Sequence, residues 1–232
     1  MYERWWRLLM VGMLLSAEAC APVSLEGAPP IDPDADRTPE LVELIRLDPT
    51  LKLDIRYATP NNFIGRPVYP EARAFLQRPA AEALLRVHRK LARSGFGLLI
   101  FDGYRPWSVT KIFWDSVSGE KRNFVADPSL GSKHNRGCAV DLSLYQRATG
   151  QAVTMPTDYD EMTTRAYPAY RGGTVESRRH RDLLRAAMEA EGFTVHPREW
   201  WHFDYRDWAR YPILNLPFSS LTRGAQPHVS DP

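Results

Sequence analysis

The amino-acid sequence predicts an α+β fold, a single domain with a central, mainly antiparallel sheet and flanking helices. Two observations carry this. Strand-like and helix-like runs follow one another without the regular alternation of a doubly wound fold. The 232 residues are 44% hydrophobic and 25% charged, which is enough apolar material for one core without disulfide staples.

The elements follow in chain order. Residues 41–47 and 51–57 alternate in character around Asp48-Pro49-Thr50 and predict a pair of strands. Residues 59–70 (TPNNFIGRPVYP) read as loop. From Pro79 to Arg93, Ala81, Leu84, Leu85, Val87 and Leu91 recur at helical spacing, and Gly95 stops that helix. Phe96–Phe101 is a short apolar strand running into Asp102-Gly103-Tyr104-Arg105-Pro106. Pro106 suits the first position of a second helix reaching about Val117. Residues 123–136 read as loop, 138–145 as a strand, and a further loop reaches Gly173. Residues 175–191 form a third helix stopped by Gly192, and residues 193–195 and 200–205 close the fold as strands.

The N-terminus has a different character. Arg4 and Arg7 precede an apolar run, Leu8–Leu15, too short to span a bilayer. Ala17-Glu18-Ala19 then offers the small residues of a cleavage site, so residues 1–19 predict a secretory signal peptide. Export to the periplasm is the expectation. Cys20 follows directly and is a candidate lipid-attachment cysteine that would tether the protein to the membrane. Ala17 and Glu18 depart from the Leu and small residue usual before such a cysteine. Residues 20–38, rich in Pro, Ala and Asp, read as a linker, 39–215 as the folded domain and 216–232 as a C-terminal tail. Cys20 and Cys138 are the only cysteines, so no disulfide framework exists, and Cys138 reads as a buried free thiol. With 30 Lys+Arg against 28 Asp+Glu, no basic block points to nucleic acid. The composition is silent on oligomeric state.

Candidate chemistry concentrates in three places. His134 precedes a glycine turn in SKHNRGCAVD, and Asp141 ends that stretch. His202 closes REWWH, with Glu199 three residues before it. Imidazole nitrogen and carboxylate oxygen suit zinc, and three protein ligands leave a catalytic position open. Glu199, outside that set, is a candidate general base. Arg105, in DGYRP after a strand, is a candidate oxyanion-stabilising cation. Each alone has a plainer reading: a hydrogen-bonded core histidine, a capping aspartate, an ordinary ion pair. HPREWWH also invites a helical two-histidine site with His196, which Pro197 opposes. His88, His180 and His228 read as solvated or structural.

Taken together, DGYRP, SKHNRGCAVD and EWWH in this order resemble the D-alanyl-D-alanine dipeptidases of the vancomycin-resistance type. These belong to the wider D-Ala-D-Ala carboxypeptidase and hedgehog-like group of zinc metallopeptidases. RYATPNNFIGRPVY, MPTDYDEM and MEAEGFTVHPREWWHFDY extend the resemblance over roughly residues 40–206. The resemblance implies one Zn2+ per chain on His134, Asp141 and His202, with Glu199 as base and acid and Arg105 at the tetrahedral intermediate. It also implies Asp160 at the substrate ammonium, with Asp158 as the neighbouring alternative, and Ser132 near the substrate carboxylate. The implied substrate is the dipeptide D-Ala-D-Ala. Two alternatives stay open at this point: a murein carboxypeptidase or endopeptidase with the same site, and a non-catalytic zinc-binding domain.

Overall fold

The computed structural model describes residues 27–221. Residues 1–19, Cys20 and His228, on which the signal, lipidation and tail readings fall, lie outside the described residues. No helix among those described is long and apolar enough to cross a membrane.

The strands are β1 (Leu41–Glu43), β2 (Lys52–Leu53), β3 (Phe75–Gln77), β4 (Phe96–Asp102), β5 (Ala139–Gln146), β6 (Phe193–His196) and β7 (Glu199–Tyr205). The helices are α1 (Leu44–Leu47), α2 (Arg78–Ala92), α3 (Trp107–Ser116) and α4 (Val175–Glu189). Five strands form the main sheet in the order β2-β4-β5-β7-β6, antiparallel except for the β2–β4 pair, and β1 pairs with β3 apart from it. The mainly antiparallel α+β architecture is the predicted one.

Period-2 alternation assigns the two faces of this sheet. Leu98 and Ile100 of β4, Val140, Leu142 and Leu144 of β5, and Phe203 of β7 are fully buried and stand in register with one another. Helices α2 and α4 pack on these strands. The opposite residues of β5 and β7, Asp141 and His202 among them, are thereby turned to the other face. One apolar face holds the sheet to the helices; the other carries the chemistry.

Local signals set the helix ends. Pro79 sits in the first turn of α2, where a missing N–H costs nothing, and Thr174 caps α4 by accepting from Ser177 N. Gly95 and Gly192 take positive φ after α2 and α4. Pro106 is the N-cap of α3 rather than its first residue.

Three expectations need correction. Residues 41–47 and 51–57 do not pair: β1 joins β3, β2 joins β4 in parallel, and residues 44–47 are a helical turn. Alternation alone does not name a strand's partner, and β3 falls between the predicted loop and the predicted helix, where the sequence pattern assigned no element. Part of the supposed linker is tied down: Arg136 pairs with Asp32, and Arg210 with Asp36 at 2.6 Å. The tail expected from residue 216 still contributes to the core, because Phe218 is buried against Tyr69 and Phe75. Cys138 is a buried free thiol pushed up to about 12 by burial.

Candidate metal centre and active-site cleft

His134 lies in a 3₁₀ turn, His134–Arg136, ended by Gly137 at φ +66°. That left-handed conformation is one other residues seldom adopt, so the turn needs glycine, and a side chain there would also have to displace the end of Leu41. Asp141 follows on β5 and stands directly opposite His202 on β7. Cross-strand register therefore joins two residues 61 positions apart, and the glycine turn delivers the third.

The three donor atoms converge. Asp141 Oδ1 is 3.0 Å from His202 Nδ1 and 3.3 Å from His134 Nε2, and the two nitrogens are 3.1 Å apart. Donors at zinc-ligand distance on a tetrahedron lie about 3.3–3.5 Å from one another, close to what is seen. All three side chains are buried, and Asp141 Oδ1 has no hydrogen-bond partner. The outer nitrogens fix the tautomers: His134 Nδ1 donates to Gly103 O at 2.7 Å and His202 Nε2 to Asp204 Oδ1 at 2.8 Å. Three lone pairs are thus left facing one another in a buried place. Such an arrangement repels itself unless a cation stands between the donors, and the donor set fits zinc. Burial opposes the charged form of His202, yet Asp204 and Asp141 hold its ring well above the usual histidine value. The electrostatics favour positive charge where the donors meet.

Around this centre lies a cleft of about 360 Å³, of the size of a small-molecule site. Glu199 lines it, with Oε2 3.7 Å from His202 Nδ1, and burial pushes its carboxyl up to about 7. Strand alternation would put residues 199 and 202 on opposite faces. Instead, β6 advances one residue from Val195 to His196 while β7 advances four from Glu199 to Phe203, and this bulge brings Glu199 to the cleft. Arg105 also lines the cleft, buried, with Nη2 2.8 Å from Asp102 Oδ2 and 3.9 Å from Asp141 Oδ2. The plain ion-pair reading of Arg105 is therefore true as well as its place in the cleft.

Asp160 and Ser132 line the same cleft, whereas Asp158 is exposed and does not. Asp160 has φ +61°, a conformation that non-glycine residues seldom adopt, and its Oδ2 accepts from Tyr57 at 2.8 Å. Ser132 Oγ accepts from His134 N at 3.2 Å. The structure thus brings all seven expected side chains to one cleft. His196 lies beside Glu199 at 3.6 Å and stands outside the three-residue donor group. His88 and His180 are structural: Leu98 N donates to His88 Nδ1, and His180 Nδ1 pairs with Thr154 O.

Sequence reasoning passed over the supporting residues. Tyr159 donates to Asp141 Oδ2 at 2.9 Å and sits 3.2 Å from the Tyr57 hydroxyl, linking the ligand carboxylate to the Tyr57–Asp160 pair. Asp204 supports His202, and Lys133 supports Asp204. The HxD spacing of His202 and Asp204 on one strand face was a legible signal; no spacing announces Tyr159 or Lys133.

Comparison with known proteins shows the family. A family model described as D-Ala-D-Ala dipeptidase matches residues 37–221. A D-alanyl-D-alanine dipeptidase of Escherichia coli K12 is 34% identical over 193 residues, 83% of this chain and 98% of the relative. Dipeptidases of the same name from Enterococcus faecium and Enterococcus faecalis are 34% and 35% identical, each over 68% of this chain and 87% of the relative. An extended alignment over the whole domain, around a buried His-Asp-His donor set, has one reading: the chain belongs to the D-Ala-D-Ala dipeptidase family of peptidases.

Proposed function

We propose that the protein is a zinc-dependent dipeptidase that hydrolyses D-alanyl-D-alanine, with His134, Asp141 and His202 holding the metal. The observation that carries this is the convergence of three buried donor atoms with a non-ligand carboxylate, Glu199, beside them. Zinc bound there supplies a Lewis acid that makes water a nucleophile near neutral pH.

The chain's own residues supply the rest. Glu199 takes a proton from the attacking water and returns it to the departing amine, a role suited to a carboxyl raised by burial. Arg105, fixed by Asp102, presents its charge to the oxygen that becomes negative as the peptide carbonyl is attacked. Asp160, with Oδ2 held by Tyr57, receives the substrate ammonium, and the Ser132 hydroxyl receives the substrate carboxylate. Matching both charges of a free dipeptide at a fixed separation discriminates against longer chains. On the reading of residues 1–20, the enzyme acts outside the cytoplasm, free in the periplasm or tethered through Cys20.

Release of D-alanine from D-Ala-D-Ala by zinc-loaded protein is the direct test. N-acetyl-D-Ala-D-Ala is expected to resist cleavage; cleavage of it at a comparable rate would instead indicate a carboxypeptidase. Failure to take up zinc or to cleave either compound would remove the proposal.

A further inference from the structure

The outer side of the His202 ring carries a second carboxylate that no step above uses. Asp204 stands two residues along β7, on the same strand face as His202, and opposite the small Ala139 of β5. Its Oδ1 accepts the 2.8 Å hydrogen bond from His202 Nε2, and its Oδ2 meets Lys133 Nζ at 2.7 Å. The Lys133 ammonium also lies over Trp208, 5.0 Å from the ring centroid. Asp204 is thus held at both oxygens in a buried position.

The two histidines differ in what fixes them. The acceptor for His134 is the Gly103 backbone carbonyl, which the fold itself puts in place. For His202 the same task falls on one side chain. Without an acceptor at Nε2 the ring is free to carry its proton on Nδ1, the atom that faces Asp141 Oδ1 at 3.0 Å. A proton there blocks that nitrogen as a metal donor.

We infer that Asp204, clamped by Lys133, is the positioning residue of the metal centre: it sets the tautomer and angle of His202 so that Nδ1 is the metal donor. The inference rests on the zinc reading above. It goes beyond it by assigning zinc affinity to a residue outside the ligand set, and to a lysine whose ammonium acts on His202 through that residue.

Chelator competition for zinc tests this on the full chain, with circular dichroism for folding and nitrogen-edited NMR for the imidazole N–H protons. Asp204→Ala is expected to fold, because the Lys133 side chain is about a third exposed and water can take over its charge. Its zinc affinity is expected to fall about 10–100-fold, the usual cost of removing an outer-sphere partner. The protected Nε2–H resonance of His202 is expected to disappear with it. Asp204→Asn keeps an acceptor oxygen and is expected to restore most of the affinity. Lys133→Met is expected to change zinc affinity when Asp204 is present and to change nothing in the Asp204→Ala background. Should the alanine variant unfold, Asp204→Asn and Lys133→Met still decide the matter through the Nε2–H resonance. Wild-type affinity in Asp204→Ala, an Asn variant as weak as the Ala variant, or a Lys133 effect independent of Asp204 would overturn the inference. A wild type that takes up no zinc would instead remove the zinc reading itself, which keeps the two failures distinct.

Discussion

Glu199 and Arg105 face the same cleft but differ in what truncation reveals. Among the described residues Glu199 makes no ion pair with a basic side chain other than histidine, so Glu199→Ala is expected to keep zinc and fold. One residue there serves both the water and the leaving amine, so turnover is expected to fall at or beyond about 10⁴-fold, the upper end for one acid–base group. Zinc content, melting temperature and turnover on one preparation check this, and an active, zinc-loaded variant would end the mechanism. Arg105→Ala is expected to lose about 10²–10³-fold as an oxyanion donor. It also strips the partner from Asp102, which is 1% exposed, at about 3–5 kcal/mol of stability. Kinetics of that variant therefore need a folded fraction measured beside them. Asp160→Asn is the cleaner probe, because asparagine tolerates positive φ and keeps an acceptor for Tyr57. Loss of one charge-assisted contact is worth about 1.5–3 kcal/mol in kcat/KM against D-Ala-D-Ala. Equal loss against an N-blocked analogue would make Asp160 structural.

At the scale of elements, the site depends on how the β3 strand crosses the turn after β4. A side chain on Gly103 would lie 2.6 Å from Phe75 O, the acceptor of the 2.7 Å bond from Tyr104 N. Gly103→Ala is thus expected to cost about 1–3 kcal/mol and to loosen the carbonyl that orients His134, lowering both melting temperature and zinc affinity. Helix α2 carries a pH-sensitive joint to the sheet. Burial holds His88 below its usual value, and its Nδ1 accepts from Leu98 N. Below about pH 6.5 the unfolded chain binds a proton that folded His88 resists, so stability falls as pH drops through that value. Urea midpoints of metal-free protein at pH 7.5 and 5.5 are expected to differ less in His88→Gln than in wild type. α2 and α4 were legible because long periodic runs end at glycines, and β4 and β5 because seven and eight residues carry enough apolar pattern to read. The pair of strands predicted over 41–47 and 51–57 was misread because two- and three-residue strands carry too little pattern to fix their bounds or partners.

Across the whole molecule, the three buried donors are held together without zinc only by a proton on His202 facing Asp141, so zinc is expected to act as a structural as well as a catalytic ligand. Chelation is expected to lower the melting temperature, and added zinc to restore it in a concentration-dependent way. An unchanged melting curve would mean that the donors tolerate an empty centre. Mass spectrometry of native material is expected to show a chain beginning at Cys20, with or without lipid; intact Met1 would refute export. The sequence alone determined the donor types, the order of the motifs and the main helices, because ligand chemistry and amphipathic period are local properties. It also brought Asp160 and Ser132 forward, through resemblance to a family rather than through spacing. Only tertiary structure decided that Asp141 and His202 stand in register, that a bulge turns Glu199 to their side, and that Asp204, Lys133 and Tyr159 hold the centre in place. These are contacts between residues up to 71 positions apart. Sheet register and bulge geometry, which bring such residues together, are not written in any one segment.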